Sequence, residues 1–349
     1  MKILTIYCLL LFTCATHAAD RRDITHETDL VGICYSAWFN PVVKEGKPIY
    51  NISEILKENP TEPKWGPLNA FHFWSEPAIG YYRSDNVDVI RQHIKLLSAA
   101  QIDFIVLDNT NMNIKWPDAY KKEMVGESYR AFFETLKAMK KEGLKPPHVA
   151  IWCPSEVGPE MSPYYSNPAY EDLFLYWDDG NGLKPLLITT DAPSEDLKKQ
   201  YTVRKMLGLQ KKLADKEWSF LQRYPQNIGK NGNFTEQVPI TTALQETYMT
   251  AKNAVGRRGG KTFQEQWQRA FEARPKFITI TWWNEWIAQR FEVKGTTMFV
   301  DNYDREFSRD IEPMKGGHKD LYYQFMKSYI DAYKKHKPFP MDLLEPKNL

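Results

Sequence analysis

Phe277-Ile-Thr-Ile-Thr-Trp-Trp-Asn-Glu-Trp286 is the stretch on which the architecture turns. It alternates β-branched residues, then gathers three indoles around an amide and a carboxylate, the pattern of a buried strand with polar groups at its C-terminal end. Pro275 stops any preceding helix from running into it. Alternate residues of a barrel strand point inward, which places Thr281, Trp283 and Glu285 in the lumen and Ile278, Ile280 and Trp282 against helices. Glu285 then emerges at the strand end beside Asn284, where a carboxylate is partly desolvated and its proton affinity tunable. The alternative for this glutamate is a structural pairing with an arginine such as Arg290.

Outward from this stretch, apolar runs of strand length recur at 30–37, 102–108, 148–153, 186–190, 218–222 and 239–245, with 277–284 as the seventh. An eighth is either 71–74 or 298–301. Segments of helical period lie between them. Ser84 is placed to cap a helix whose Val87, Ile90, Ile94 and Leu97 share one face, ending near Gln101. A second helix spans about 127–142 and stops at Gly143, and Ser194 opens a third. Thr262 with Glu265 forms a capping box for a fourth, and the last covers about 320–335. This alternation predicts an α/β fold with a parallel sheet, a single-domain (β/α)8 TIM-type barrel. Long polar stretches at 109–126, 154–183, 223–238 and 286–317 each follow a strand, and in such a barrel they build the functional C-terminal face.

The chain has 349 residues, a net charge of +2 and 42% hydrophobic residues. Near-neutral charge argues against nucleic acid or an anionic membrane surface as partner. Residues 1–19 have the form of an export signal: Lys2, an apolar run over 3–12, and small residues at Ala15, Ala18 and Ala19. The expected mature domain is therefore 20–349, periplasmic or extracellular, with no segment long enough to span a membrane. Cys14 offers a lipoprotein alternative, but Thr13 is a poor residue before a lipidated cysteine. Only Cys34 and Cys153 then remain, either bridged or as two separate buried thiols. Nothing calls for a second chain, so a monomer is expected. No metal or cofactor is expected either: the seven His form no His-x3-His pair, and no Gly-rich phosphate loop or Gly-x-Ser-x-Gly elbow occurs.

Carboxylates and aromatics at strand ends carry the remaining chemistry. Asp108, Glu156, Asp191 and Glu246 each close or follow a strand, as Glu285 does. Trp38, Trp74, Tyr82, Trp152, Trp283 and Trp286 lie beside them. Aromatic faces stack on the C–H side of a pyranose, carboxylates and amides bind its hydroxyls, and glycosidic cleavage needs two carboxyl groups flanking the bond. A carbohydrate is the expected partner. The leading expectation is a glycoside hydrolase; a non-catalytic glycan-binding barrel is the alternative. A polysaccharide lyase, drawing on His318 and Arg257-Arg258, is a third.

In order along the chain, Cys34-Tyr-Ser-Ala-Trp-Phe39, Gly80-Tyr-Tyr-Arg-Ser84, Ile102-Asp-Phe-Ile-Val-Leu-Asp108, Trp283-Asn-Glu-Trp286 and Ile311-Glu-Pro313 resemble the 71/99-like superfamily of glycoside hydrolases. The nearest likeness is to family 99, endo-acting α-mannosidases and α-mannanases. The resemblance implies a secreted or membrane-associated (β/α)8 barrel that cleaves glycans internally. It makes Glu285 the counterpart of the carboxylate that assists at the sugar 2-hydroxyl, and Glu312 the counterpart of a later Glu-Pro element. The family's acid/base glutamate lies three positions after the first, where this chain has Ala288, and 289–309 is longer than usual. The acid therefore comes from another strand end, with Glu246, Glu156 and Asp108 as candidates in that order, or hydrolysis has been lost and glycan binding retained.

Overall fold

The computed structural model describes residues 21–113, 117–244, 254–300 and 303–347. Among these, eight strands run parallel: β1 Leu30–Tyr35, β2 Phe104–Asp108, β3 His148–Cys153, β4 Lys184–Thr189, β5 Thr202–Gly208, β6 Glu217–Leu221, β7 Phe234–Thr241 and β8 Phe277–Thr281. Backbone ladders join them in the order β7, β8, β1, β2, β3, β4, β5, β6. The two ends of this series meet through side chains, the Trp218 indole of β6 donating to Glu236 of β7 among them. The Gln237 amide of β7 accepts from the Ser219 N–H of β6 at 3.1 Å and donates to the Ser219 carbonyl at 2.8 Å. The molecule is thus a mixed α/β domain built on a large parallel sheet.

The pleat sorts side chains by parity. Cys34, Phe104, Val106, Ala150, Ile188, Met206 and Trp218 form one buried cluster on the inner face. Val31, Ile33, Ile105, Leu107, Val149, Ile278 and Ile280 face outward and pack with four long helices, α1 Val87–Ala99, α2 Glu127–Lys141, α3 Lys261–Ala273 and α4 Leu321–Lys334. Helical cover is uneven. Only the short helix Glu195–Gln200 separates β4 from β5, and the described chain between β5 and β6 has none.

Several expectations need correction. The eighth parallel strand is β5. Its rivals, Phe71–Phe73 and Thr296–Phe299, instead flank Ile287–Val293 in a separate antiparallel sheet. Asn86, not Ser84, caps α1, accepting from the Asp88 and Val89 N–H groups, while Ser84 Oγ accepts from Phe39 N–H. Thr262 lies inside α3 and donates to the Gly256 carbonyl, so it forms no capping box with Glu265, which pairs with Arg258. Cys34 and Cys153 are separate, buried free thiols.

Gly32 sits on the inner face of β1, where an added Cβ would collide with the Phe104 ring. Gly32→Ala is expected to cost about 1–3 kcal/mol through overpacking, measurable as a lower midpoint in urea unfolding.

Candidate functional site

Regular strand geometry ends at Thr281. The two-residue alternation therefore cannot be carried past this point. Trp282 turns inward and stacks on Trp152, centroids 6.1 Å apart at 23°. Trp283 turns outward into the helix-facing core, edge-on to His93 at 5.5 Å and Tyr323 at 6.1 Å. This reverses the expected assignment of the two indoles.

Two neighbours fix the turn that follows. Asn284 Oδ1 accepts from the Ser36 N–H at 2.9 Å and its Nδ2 donates to the Ser36 carbonyl at 3.0 Å, extending the pairing of β8 with β1 by a side chain. On the other side lies the segment 308–312. Its Ile311 and Glu312 N–H groups donate to the Trp283 carbonyl at 3.1 and 2.8 Å. Arg309 Nη2 donates to Glu285 Oε2 at 2.5 Å, with both side chains buried. Arg290, the partner suggested by sequence proximity, instead donates to the Gly66 carbonyl and to Thr297.

Glu312 is the hub beneath the turn. It accepts from Trp286 Nε1 at 2.6 Å and Tyr82 OH at 2.7 Å, and its other oxygen meets His93 Nε2 at 2.9 Å. His93 Nδ1 lies 2.9 Å from Tyr35 OH. Burial holds the Tyr35 phenol protonated, so Tyr35, His93 and Glu312 form one buried chain of polar contacts. Trp74 stacks on Trp286 at 5.0 Å and donates to Asp310 Oδ2 at 2.6 Å.

Burial pushes the Asp310 carboxyl up to about 7. The unfolded chain releases this proton near pH 4, so between about pH 4 and 7 the folded protein holds a proton the unfolded chain has lost, and stability falls as pH rises. Asp310→Asn retains the acceptor for Trp74 and is expected to be the more stable form at pH 8 by about 2–4 kcal/mol, with no advantage at pH 4. Urea unfolding at the two pH values checks this.

A cleft of about 220 Å³ opens at the C-terminal ends of the parallel strands. Asp108 and Glu285 supply its carboxylates and Arg309 its cation, with Trp38, Trp152, Phe220 and Trp282 as aromatic walls. Asp108 Oδ1 also accepts from the Thr110 N–H at 2.8 Å. A larger depression of about 570 Å³ beside β4 and β5 contains no tryptophan, and four of its lysines pair with carboxylates: Lys198–Glu195, Lys199–Asp196, Lys205–Glu217 and Lys216–Asp179.

Of the candidates read from sequence, Glu285, Asp108, Trp38 and Trp152 meet in the cleft. Trp74, Tyr82, Trp283, Asn284, Trp286 and Glu312 are buried around the turn and brace it. Glu156 and Asp191 are exposed and do not line the cleft. Glu246 lies outside the described residues. His318 is buried against Tyr322 at 4.8 Å, with Arg257 also packed on that ring at 4.2 Å, and neither lines the cleft. Ala288 lies in the antiparallel sheet opposite His72, packed among apolar side chains. Sequence reasoning missed Arg309, although it stands two residues before Ile311-Glu-Pro313, and it missed Phe220 at the end of β6.

Two solved structures share this fold. One is a GH99 endo-alpha-mannosidase from Bacteroides thetaiotaomicron, 16% identical with a TM-score of 0.54, covering 88% of this chain and 98% of the other. The second, a GH99 endo-alpha-mannosidase from the same organism in complex with bis-tris propane, is 15% identical with a TM-score of 0.52 and the same coverage, 88% and 98%. No protein-family model and no curated protein matches the chain.

Proposed function

We propose that the chain is an exported glycoside hydrolase whose parallel strands close into a (β/α)8 barrel, with the cleft at their C-terminal ends as its active site. The observation that carries this reading is the meeting of Asp108 and Glu285 in one aromatic-walled cleft. Glycosidic cleavage adds water across the C1–O bond: one carboxyl protonates the leaving oxygen, while the other activates water or attacks C1. In this reading Glu285, ion-paired with Arg309, is the carboxylate that activates water or attacks C1, and Asp108 protonates the leaving oxygen. Trp152 and Trp282 offer apolar faces for a pyranose ring. The shared fold with endo-mannosidases makes mannose-containing glycans the first substrates to try.

The test is a reducing-sugar assay over a panel of α- and β-linked glycans, with Asp108→Asn beside wild type. Wild type is expected to release sugar, and Asp108→Asn to do so about 10²–10⁴-fold more slowly. Binding without release favours the glycan-binding reading, which the apolar burial of Ala288 supports. No binding and no release by wild type would contradict both.

A further inference from the structure

We propose that Tyr129 and Asn109, neither of which lines the cleft, are positioning residues that act through Asp108 and hold its carboxyl at the glycosidic oxygen. This inference deepens the proposed function and rests on it. Asp108 is the last residue of β2, and the chain turns away directly after it, over Thr110–Asn113. A proton donor at such a point has no following strand to steady it. A misplacement of about 1 Å at a reacting group costs about 10²-fold in rate, so whatever fixes the backbone of this residue bears on the chemistry.

Backbone pairing supports Asp108 unevenly. On the β3 side the ladder runs to Asp108 with Trp152, and the Asn109 N–H continues it by donating to the Trp152 carbonyl at 2.7 Å. On the β1 side the ladder stops one residue earlier, at Leu107 with Tyr35. Beyond that point a side chain contributes: the Tyr129 hydroxyl, from the first turn of α2, donates to the Asp108 carbonyl at 2.9 Å. The same hydroxyl reaches Asn109 Oδ1, also at 2.9 Å, and Asn109 Nδ2 donates to Glu160 Oε1 at 2.7 Å. One amide thus ties α2 to the segment after β3, with the end of β2 between them. Tyr129 and Asn109 are both buried, and burial holds the Tyr129 phenol protonated. Its ring belongs to the helix-facing core, where a phenylalanine would fill the same space. What phenylalanine lacks is the hydroxyl, costly to bury unless bonded, and here it bonds the strand end that carries Asp108. The Thr110 N–H then sets the Asp108 carboxyl relative to that backbone. Glu285 is held from elsewhere, by Arg309, so loosening this clamp disturbs one carboxyl and spares the other.

A proton donor matters for a leaving group that needs a proton and not for one that departs as a stable anion, so the test compares two leaving groups. The full chain and its Asp108→Asn, Tyr129→Phe and Asn109→Ala variants, each shown to be folded by circular dichroism, act on two substrates. One is the glycan that wild type cleaves; the other is the 2,4-dinitrophenyl glycoside of the fragment it releases. Both are read as kcat/KM. Tyr129→Phe and Asn109→Ala are expected to be about tenfold to a hundredfold slower on the glycan and within about threefold of wild type on the dinitrophenyl glycoside. Asp108→Asn is expected to show the same pattern more strongly. Either clamp variant decides the matter if the other fails to fold, since a merely structural role slows both substrates alike. Equal losses on the two substrates, or glycan cleavage at the wild-type rate, beside a selective Asp108→Asn, would overturn this inference and leave the reading of Asp108 standing. Asp108→Asn slowing both substrates alike would remove Asp108 as proton donor, and a wild type that cleaves no glycan would remove the hydrolase; either result takes this inference with it.

Discussion

Glu285→Gln is expected to lower sugar release by about 10³-fold while leaving glycan affinity within a few-fold of wild type. The glutamine keeps an oxygen for Arg309 but cannot carry charge or accept a proton, so the loss falls on the chemical step. It also leaves the buried guanidinium less well compensated, which costs up to about 3 kcal/mol. Activity should therefore be measured on protein shown to be folded by circular dichroism, with binding measured on the same sample. Unchanged release would remove Glu285 from the reaction.

Glu312→Leu is expected to have the largest effect on stability, about 3–5 kcal/mol in urea unfolding, although the residue does not line the cleft. Three groups, Trp286 Nε1, Tyr82 OH and the His93 ring, converge on its carboxylate in a buried setting. Removing the acceptor strands all three, and stranded buried donors cost more than the bonds contributed. Because Trp286 adjoins Glu285, activity should fall as well. A variant as stable as wild type would show that the network does not hold the turn.

The parallel strands were legible where burial is simple. β1, β2, β3 and β8 are runs of Val, Ile, Leu and Phe with both faces covered, so hydropathy alone reveals them. β5 was hidden because Thr202-Val-Arg-Lys-Met-Leu-Gly208 carries two cations mid-strand. The structure neutralises Arg204 with Glu236 at 2.5 Å and Asp179 at 2.9 Å, over the Trp177 ring at 4.4 Å. No local pattern announces partners so far apart in the chain. At the site, Glu285 was found through its surroundings of indoles and an amide. Its arginine was not, because the hairpin between them folds back and makes a distant residue a neighbour. The indoles were exchanged because a period of two holds only while the strand lasts, and it ends at Thr281. Trp74, Tyr82 and Trp286 have the chemistry of stacking platforms, but their faces and polar edges are already used by His93, Glu312, Asp310 and one another.

The most direct measurement is a crystal structure of the Glu285→Gln protein soaked with the glycan that wild type binds. The account predicts a sugar ring in the cleft against Trp152 and Trp282, with its glycosidic oxygen within hydrogen-bond reach of Asp108. A sugar bound at another surface, with the cleft unoccupied, would contradict it.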